Sequence, residues 1–155
     1  MSTSAVPRTY TIKEAAALTG LAASTLRYYE QIGIITPVDR GESSKHRVYT
    51  DADLDLLTGI ACLSATGMSI SDMRAYVANR TGGRETAEQQ ASLLRAQRDR
   101  LVLEAEQLAV RQRYVELKIG YWNAVAAGDD AQVDRLSHQA RALADDLRRT
   151  RPTNK

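Results

Sequence analysis

The sequence predicts a mainly α-helical chain: a compact N-terminal domain, one long helix behind it and a short terminal helix. Three observations carry this reading. Alanine and leucine are plentiful and Phe is absent among 155 residues, a bias towards helix. Three times a hydroxyl residue stands three positions ahead of an acid at the start of an apolar pattern: Thr11 and Glu14, Thr50 and Asp53, Ser69 and Asp72. Each pair fits a capping box, in which hydroxyl and carboxylate serve exposed helix N–H groups. Beyond residue 83, apolar residues recur every seven positions. The expected segments are 1–9 as a flexible N-terminus, 10–80 as the compact domain, 84–127 as the long helix, 129–149 as an amphipathic helix and 150–155 as a tail.

The first helix begins behind Thr11, shows Ile12, Ala15, Ala16 and Leu18 as its apolar face, and stops at Gly20. A second runs from Ala22 or Ala23 to Gln31 and ends near Gly33. Two short helices joined by a glycine-containing turn read as a helix-turn-helix. Ala22 stands where a capping hydroxyl or carboxylate is expected, which weakens that N-terminus by ~1 kcal/mol. Ile34-Ile35 reads as a short strand, Arg40 to Lys45 as polar loop, and Arg47, Val48 and Tyr49 as a returning strand. Together these form a β-hairpin, a wing beside the two helices. The helix capped by Thr50 runs to Gly67, and the one capped by Ser69 carries Ile70, Met73, Tyr76 and Val77 at helical spacing. Thr81-Gly82-Gly83 marks the boundary between the compact domain and the long helix.

In the long helix, Ala87, Leu94, Leu101, Leu108 and Val115 recur every seven residues. Ala91, Ala105 and Ile119 fill the alternate positions, with Arg98 and Gln112 interrupting the seam. So narrow a stripe leaves a lone helix unsatisfied; it predicts a coiled coil with a second copy, a symmetric dimer. Packing on its own domain is the alternative. After a break at Gly128-Asp129-Asp130, Val133, Leu136, Ala140, Leu143, Ala144 and Leu147 share one face, and "RRTRPTNK" reads as a frayed basic tail.

Composition excludes some classes. No stretch is apolar enough to span a bilayer, and "MSTSAVPR" lacks the apolar run of a secretory signal. The single Cys cannot form an internal disulfide, in keeping with a reducing cytoplasm. Net charge is +2, and residues 1–80 hold eight Lys/Arg against eight Asp/Glu. Anion binding must therefore come from charge placement, not bulk charge. No Ser-His-Asp or Cys-His spacing, phosphate loop or paired His ligands point to an enzyme or a cofactor.

The stretch "STLRYYEQIGI" sets Arg27, Tyr28 and Tyr29 side by side on the second short helix. Neighbours on a helix point about 100° apart, so both tyrosines cannot enter one core. If this is a recognition helix, Ala23 and Ser24 let it approach base edges closely, and Arg27 can fork onto a guanine or a phosphate. The Tyr28 hydroxyl can donate to a phosphate with its ring on the protein body, Tyr29 then bracing the domain. Arg47 and Tyr49 on the wing can hold the flanking backbone. The plainer reading makes one tyrosine core and Arg27–Glu30 a surface pair.

"YTIKEAAALTG…STLRYYEQIGIITP…RVYTDADLDLL" resembles the N-terminal domain of the MerR family of transcription regulators, over Tyr10 to about Val77. The resemblance implies a homodimer with a winged helix-turn-helix on each subunit and an antiparallel coiled coil between them. It implies double-stranded promoter DNA as partner, an imperfect palindrome bound between promoter elements, which the dimer bends and untwists for RNA polymerase. It assigns DNA contacts to Arg27, Tyr28, Arg47 and Tyr49. Ala22 departs from the family's usual capping Ser, and "SSKHRVY" lacks the Gly-Tyr that often precedes the wing arginine.

The signal is less legible. Metal-sensing members carry cysteines near the end of the dimer helix; here there is none after Cys62, and His46 and His138 stand apart. Tyr114, Tyr121 and Trp122 either line a small aromatic effector pocket or anchor the end of the coiled coil. Cys62, in "CLSATGMSI", resembles the cysteine of a branch that answers aldehydes and other electrophiles, where a thiolate adduct adds bulk and polarity. No Lys, Arg or His lies within a turn of it, and a lone helical Cys is also ordinary packing. The sequence thus supports two readings: a regulator responsive to an electrophile or small effector, or an effector-independent repressor or architectural DNA-binding protein in which Cys62 is structural.

Overall fold

A computed structural model describes residues 6–151. The elements run β1 (Thr9–Tyr10), α1 (Ile12–Thr19), α2 (Ala23–Gln31), β2 (Tyr49–Thr50), α3 (Asp51–Ala65), α4 (Ile70–Asn79), α5 (Arg84–Ala127), α6 (Asp130–Ala142) and α7 (Ala144–Arg149). The chain divides into a compact unit ending at Gln97 and a second from Arg98.

In the first unit the caps do what their spacing predicts. Thr11 Oγ1 accepts from Glu14 N–H while the Glu14 carboxylate reaches back to Thr11 N–H. Thr50 and Asp53 repeat the arrangement, and Ser69 Oγ accepts from Asp72 N–H. Gly20 closes α1 in the left-handed region at φ 76°, where a side chain would be strained. Ala22 caps α2 with no side-chain hydrogen bond. The core gathers Ala15, Leu26, Tyr29, Ile34, Ile35, Tyr49, Leu57, Ile60 and Met73 around these short elements. Leu18 departs from its expected place and stands exposed, while Thr19 is buried with its hydroxyl on Ala15 C=O. Arg74 of α4 donates to Ile32 C=O at 2.7 Å and so fastens the end of α2.

The strand assignment differs from expectation. Ile34 and Ile35 form no strand: both N–H groups turn back to Tyr29 C=O and both side chains are buried. The partner of β2 is β1, antiparallel, with Thr9 opposite Thr50 and Tyr10 opposite Tyr49. Thr9 thus belongs to the sheet and not to a loose N-terminal segment. The wing is a loop over residues 39–48, closed by a bridge between Arg40 and Arg47 and by Val48 N–H on Asp39 C=O. Lys45 turns its tip at φ 58°.

The first turns of α5 also belong to this unit. Thr86 and Gln90 donate to Asn79 and Tyr76 C=O, and buried Gln97 donates to Thr66 C=O at 2.7 Å. The compact unit therefore extends well past the glycines at 82 and 83.

In the second unit α5 passes straight through Gly120, where a β-carbon would come within 3.2 Å of Leu136 Cδ1; glycine permits that close approach of α6. Val133, Leu136, Ala140, Leu143, Ala144 and Leu147 are all wholly or partly covered, as their shared face predicts. The single terminal helix expected over 129–149 is broken at Leu143 into α6 and α7. Thr150, expected in the tail, is buried, and its C=O accepts from the Arg111 guanidinium. Residues 152–155 of that tail lie outside the described residues.

Candidate nucleic-acid interface

The helical repeat sorts the residues of α2 into two faces. Leu26 and Tyr29 point inward, Tyr29 only 5 % exposed. Ser24, Arg27, Tyr28 and Gln31 point outward, with Ala23 half-buried at the helix start. Tyr28 is 47 % exposed, and its ring leans on that of Tyr29 with centroids 6.3 Å apart. Tyr28 thus stays half-exposed beside its buried neighbour, where its hydroxyl can donate to a phosphate.

Beside this face lies a cleft of about 410 Å³ between the start of α1, α2 and the wing, lined among others by Lys13, Arg27, Arg40, His46 and Arg47. Four cations and an imidazole from three elements thus face one hollow against one carboxylate, Glu14, although residues 1–80 are balanced in charge. Placement supplies what net charge does not. The plainer alternative, a surface pair between Arg27 and Glu30, is not what the structure shows. The Glu30 carboxylate receives Arg47 Nε at 2.8 Å and faces Arg40 Nη2 at 3.7 Å. Arg40, Lys13, His46 and Glu30 are not legible as site residues in the sequence, because the bends that gather them are set by tertiary packing.

Tyr49 corrects the expected set. It is 0 % exposed and lies in the core, so its ring is not a DNA contact on the wing surface. The cause is the β1–β2 pairing, which draws Tyr49 under the wing. Its hydroxyl is buried without a hydrogen-bond partner among the described residues, and burial pushes its pKa above the ordinary 10.0. Removing an unpartnered buried hydroxyl costs little. Tyr49→Phe is therefore expected to leave thermal stability at neutral pH within ~1 kcal/mol of wild type or slightly higher, and DNA affinity unchanged. The unfolded chain ionises this phenol first. Stability is therefore complete below pH 10 and falls as pH climbs towards the raised folded value, and Tyr49→Phe should flatten that fall in alkaline unfolding curves. Tyr10, by contrast, is held above its ordinary value mainly by the hydrogen bond from its hydroxyl to Asp51.

The candidate sensing residues are dispersed. Cys62 is exposed on α3. In the second unit Tyr121 and Trp122 meet edge-on at 5.2 Å, and Lys118 Nζ lies over the rings of Tyr121 and Tyr114 at 5.1 and 6.0 Å. A groove between α5, α6 and α7 takes Tyr114 with Lys118, Ser137 and Arg141, but not Tyr121 or Trp122, and Trp122 is 63 % exposed. Leu94, Leu101, Leu108, Val115 and Ile119 of the heptad seam are all exposed in the single chain. Among the described residues no three His, Cys, Asp or Glu side chains converge on a metal site, and no helix is long and apolar enough to cross a membrane.

Known proteins share this geometry. The family model of MerR HTH family regulatory proteins matches residues 10–80. An uncharacterized HTH-type transcriptional regulator of Haemophilus influenzae is 36 % identical over 109 residues, covering 70 % of this chain and 78 % of that protein. The chain belongs to the MerR family. The HTH-type transcriptional regulator AdhR of Bacillus subtilis is 39 % identical over 83 residues, 54 % of this chain and 59 % of AdhR, so the match spans about three-fifths of that relative. Among solved structures, HiNmlR, described as a MerR family regulator lacking the sensor domain and bound to promoter DNA, shares 32 % identity at a TM-score of 0.64, over 83 % of this chain and 96 % of its own. A putative MerR family regulator from Listeria monocytogenes gives 28 % identity and a TM-score of 0.64, over 84 % and 98 %. Like these MerR proteins, the chain is a DNA-binding transcription regulator and not an enzyme.

Proposed function

We propose that this chain acts as a homodimer that grips an imperfect palindrome in promoter DNA and bends and untwists it for RNA polymerase. The observation that carries the reading is the outward face of α2, with Ala23, Ser24, Arg27 and Tyr28, flanked by a cleft that holds Arg40 and Arg47. The helix offers small residues and an arginine to base edges, and the cleft offers cations to the phosphates on either side. The exposed heptad seam of α5 supplies the second half, because burying it against a second copy holds two such faces at a fixed spacing. That HiNmlR was crystallised on promoter DNA supports the same use of the shared fold.

The test is selection from a pool of random duplexes with the purified full chain. A regulator of this kind enriches an imperfect palindrome, and its affinity falls steeply with salt. Enrichment of no sequence would overturn the reading.

For the input, exposed Cys62 supports thiol chemistry. In transcription from the selected operator, Cys62→Ser is expected to abolish the response to an aldehyde or quinone while leaving DNA affinity unchanged. An unchanged response would leave Cys62 as a structural residue and the chain as an effector-independent regulator.

A further inference from the structure

We propose that Glu30 is a positioning residue for DNA recognition: its one carboxylate ties both wing arginines, Arg40 and Arg47, to the recognition helix and holds them in register with Arg27. This rests on the reading that the face meets DNA.

Arg40 and Arg47 stand opposite each other in the antiparallel bridge that closes the wing. Like charges directly opposite on neighbouring strands repel, and both line the cleft that also receives Arg27. Glu30 answers this from the adjoining helix: Oε2 accepts from Arg47 Nε–H at 2.8 Å, and Oε1 lies 3.7 Å from Arg40 Nη2. Its side chain is only 12 % exposed. Taking a carboxylate out of water costs free energy that nearby cations offset, and here it has two. With Nε engaged by Glu30, Arg47 keeps its Nη groups for an incoming anion.

The consequence is a trade between affinity and selectivity. A negative charge on the arginines of a cleft built for phosphates weakens binding to any duplex. Pinning the wing to α2, however, ties the phosphate contacts to the helix that reads the bases. Specificity is a difference of affinities, and Glu30 raises the difference because only the operator regains, through the base contacts of the pinned helix, what the charge costs on every duplex.

The experiment compares full-length wild type, Glu30→Gln and Glu30→Asp on the selected operator and on a shuffled duplex of equal length, by fluorescence anisotropy across a salt series, with thermal melts alongside. Glu30→Gln is expected to bind the shuffled duplex more tightly, with a salt slope steeper by about one, and to lose about tenfold in the operator-to-shuffled ratio. Glu30→Asp keeps the charge but is a methylene too short to span both arginines. It should keep the wild-type salt slope and still lose selectivity. An unmoved ratio in both variants overturns the proposal, as does an equal loss on both duplexes with lowered Tm, which would make Glu30 a brace only. A wild type that prefers no duplex removes the DNA reading along with this one, whereas wild-type selectivity with an unmoved ratio removes this one alone.

Discussion

Leu101→Lys combined with Leu108→Lys is expected to turn the proposed dimer into a monomer and to weaken operator binding by about a hundredfold or more. Both leucines stand exposed on α5. Each is worth about 1.5–3 kcal/mol when buried against a partner, and the symmetric dimer counts every change twice. Lysine at the centre of the seam reverses the sign, since a charge taken from water without a counter-ion costs more than the lost contact. The compact N-terminal unit should be untouched, because its contacts with α5 come from Thr86, Gln90 and Gln97, all before the substituted turns. Light scattering, circular dichroism and operator titration together check the claim. A surviving dimer would show that the seam packs elsewhere.

Arg27→Ala is expected to weaken operator binding by about 1–3 kcal/mol. Arg27 is exposed on the outward face of α2 and also lines the cleft, so base edge and phosphate are both within its compass. Glu30, which the sequence suggests as its partner, has both carboxylate oxygens turned to the wing. The two targets separate by their dependence on sequence. Loss confined to the operator, with discrimination relaxed at one base pair, marks a guanine contact. Equal loss on operator and shuffled duplex, with the salt slope reduced by about one, marks a phosphate contact. An affinity equal to wild type on both duplexes would remove Arg27 from the interface. Because the side chain is exposed, the melting temperature should hold in any case.

The helical part of the fold is legible in the sequence because its signals are local. Thr11 with Glu14 and Thr50 with Asp53 announce their own helices through contacts three residues apart, and the Leu94-Leu101-Leu108 rhythm needs nothing beyond the helix that carries it. The wing departs from expectation because β pairing is non-local. Ile34-Ile35 has strand composition, yet its N–H groups are taken by Tyr29, and the real partner of Tyr49 is Tyr10, far upstream in the chain. The same cause explains the site. Ser24, Arg27 and Tyr28 take their places from the repeat of one helix. Arg40 and Glu30 meet only once the loop folds back, and Tyr49 changes from surface candidate to core for that reason. The break at Leu143 has no Gly or Pro to announce it in the sequence.

The two-residue ladder between Thr9–Tyr10 and Tyr49–Thr50 has a kinetic consequence. So short a sheet cannot open piecemeal: freeing the wing releases the N-terminal strand, and losing that strand frees the base of the wing. Amides at 9–10 and around 39–50, distant in the chain, should therefore exchange with deuterium at a common rate, faster than the interiors of α1 and α3, as one cooperative opening. Operator DNA, by clamping the wing, should slow both segments by the same factor, so that the arrival of a ligand at Arg47 is felt at the very start of the fold.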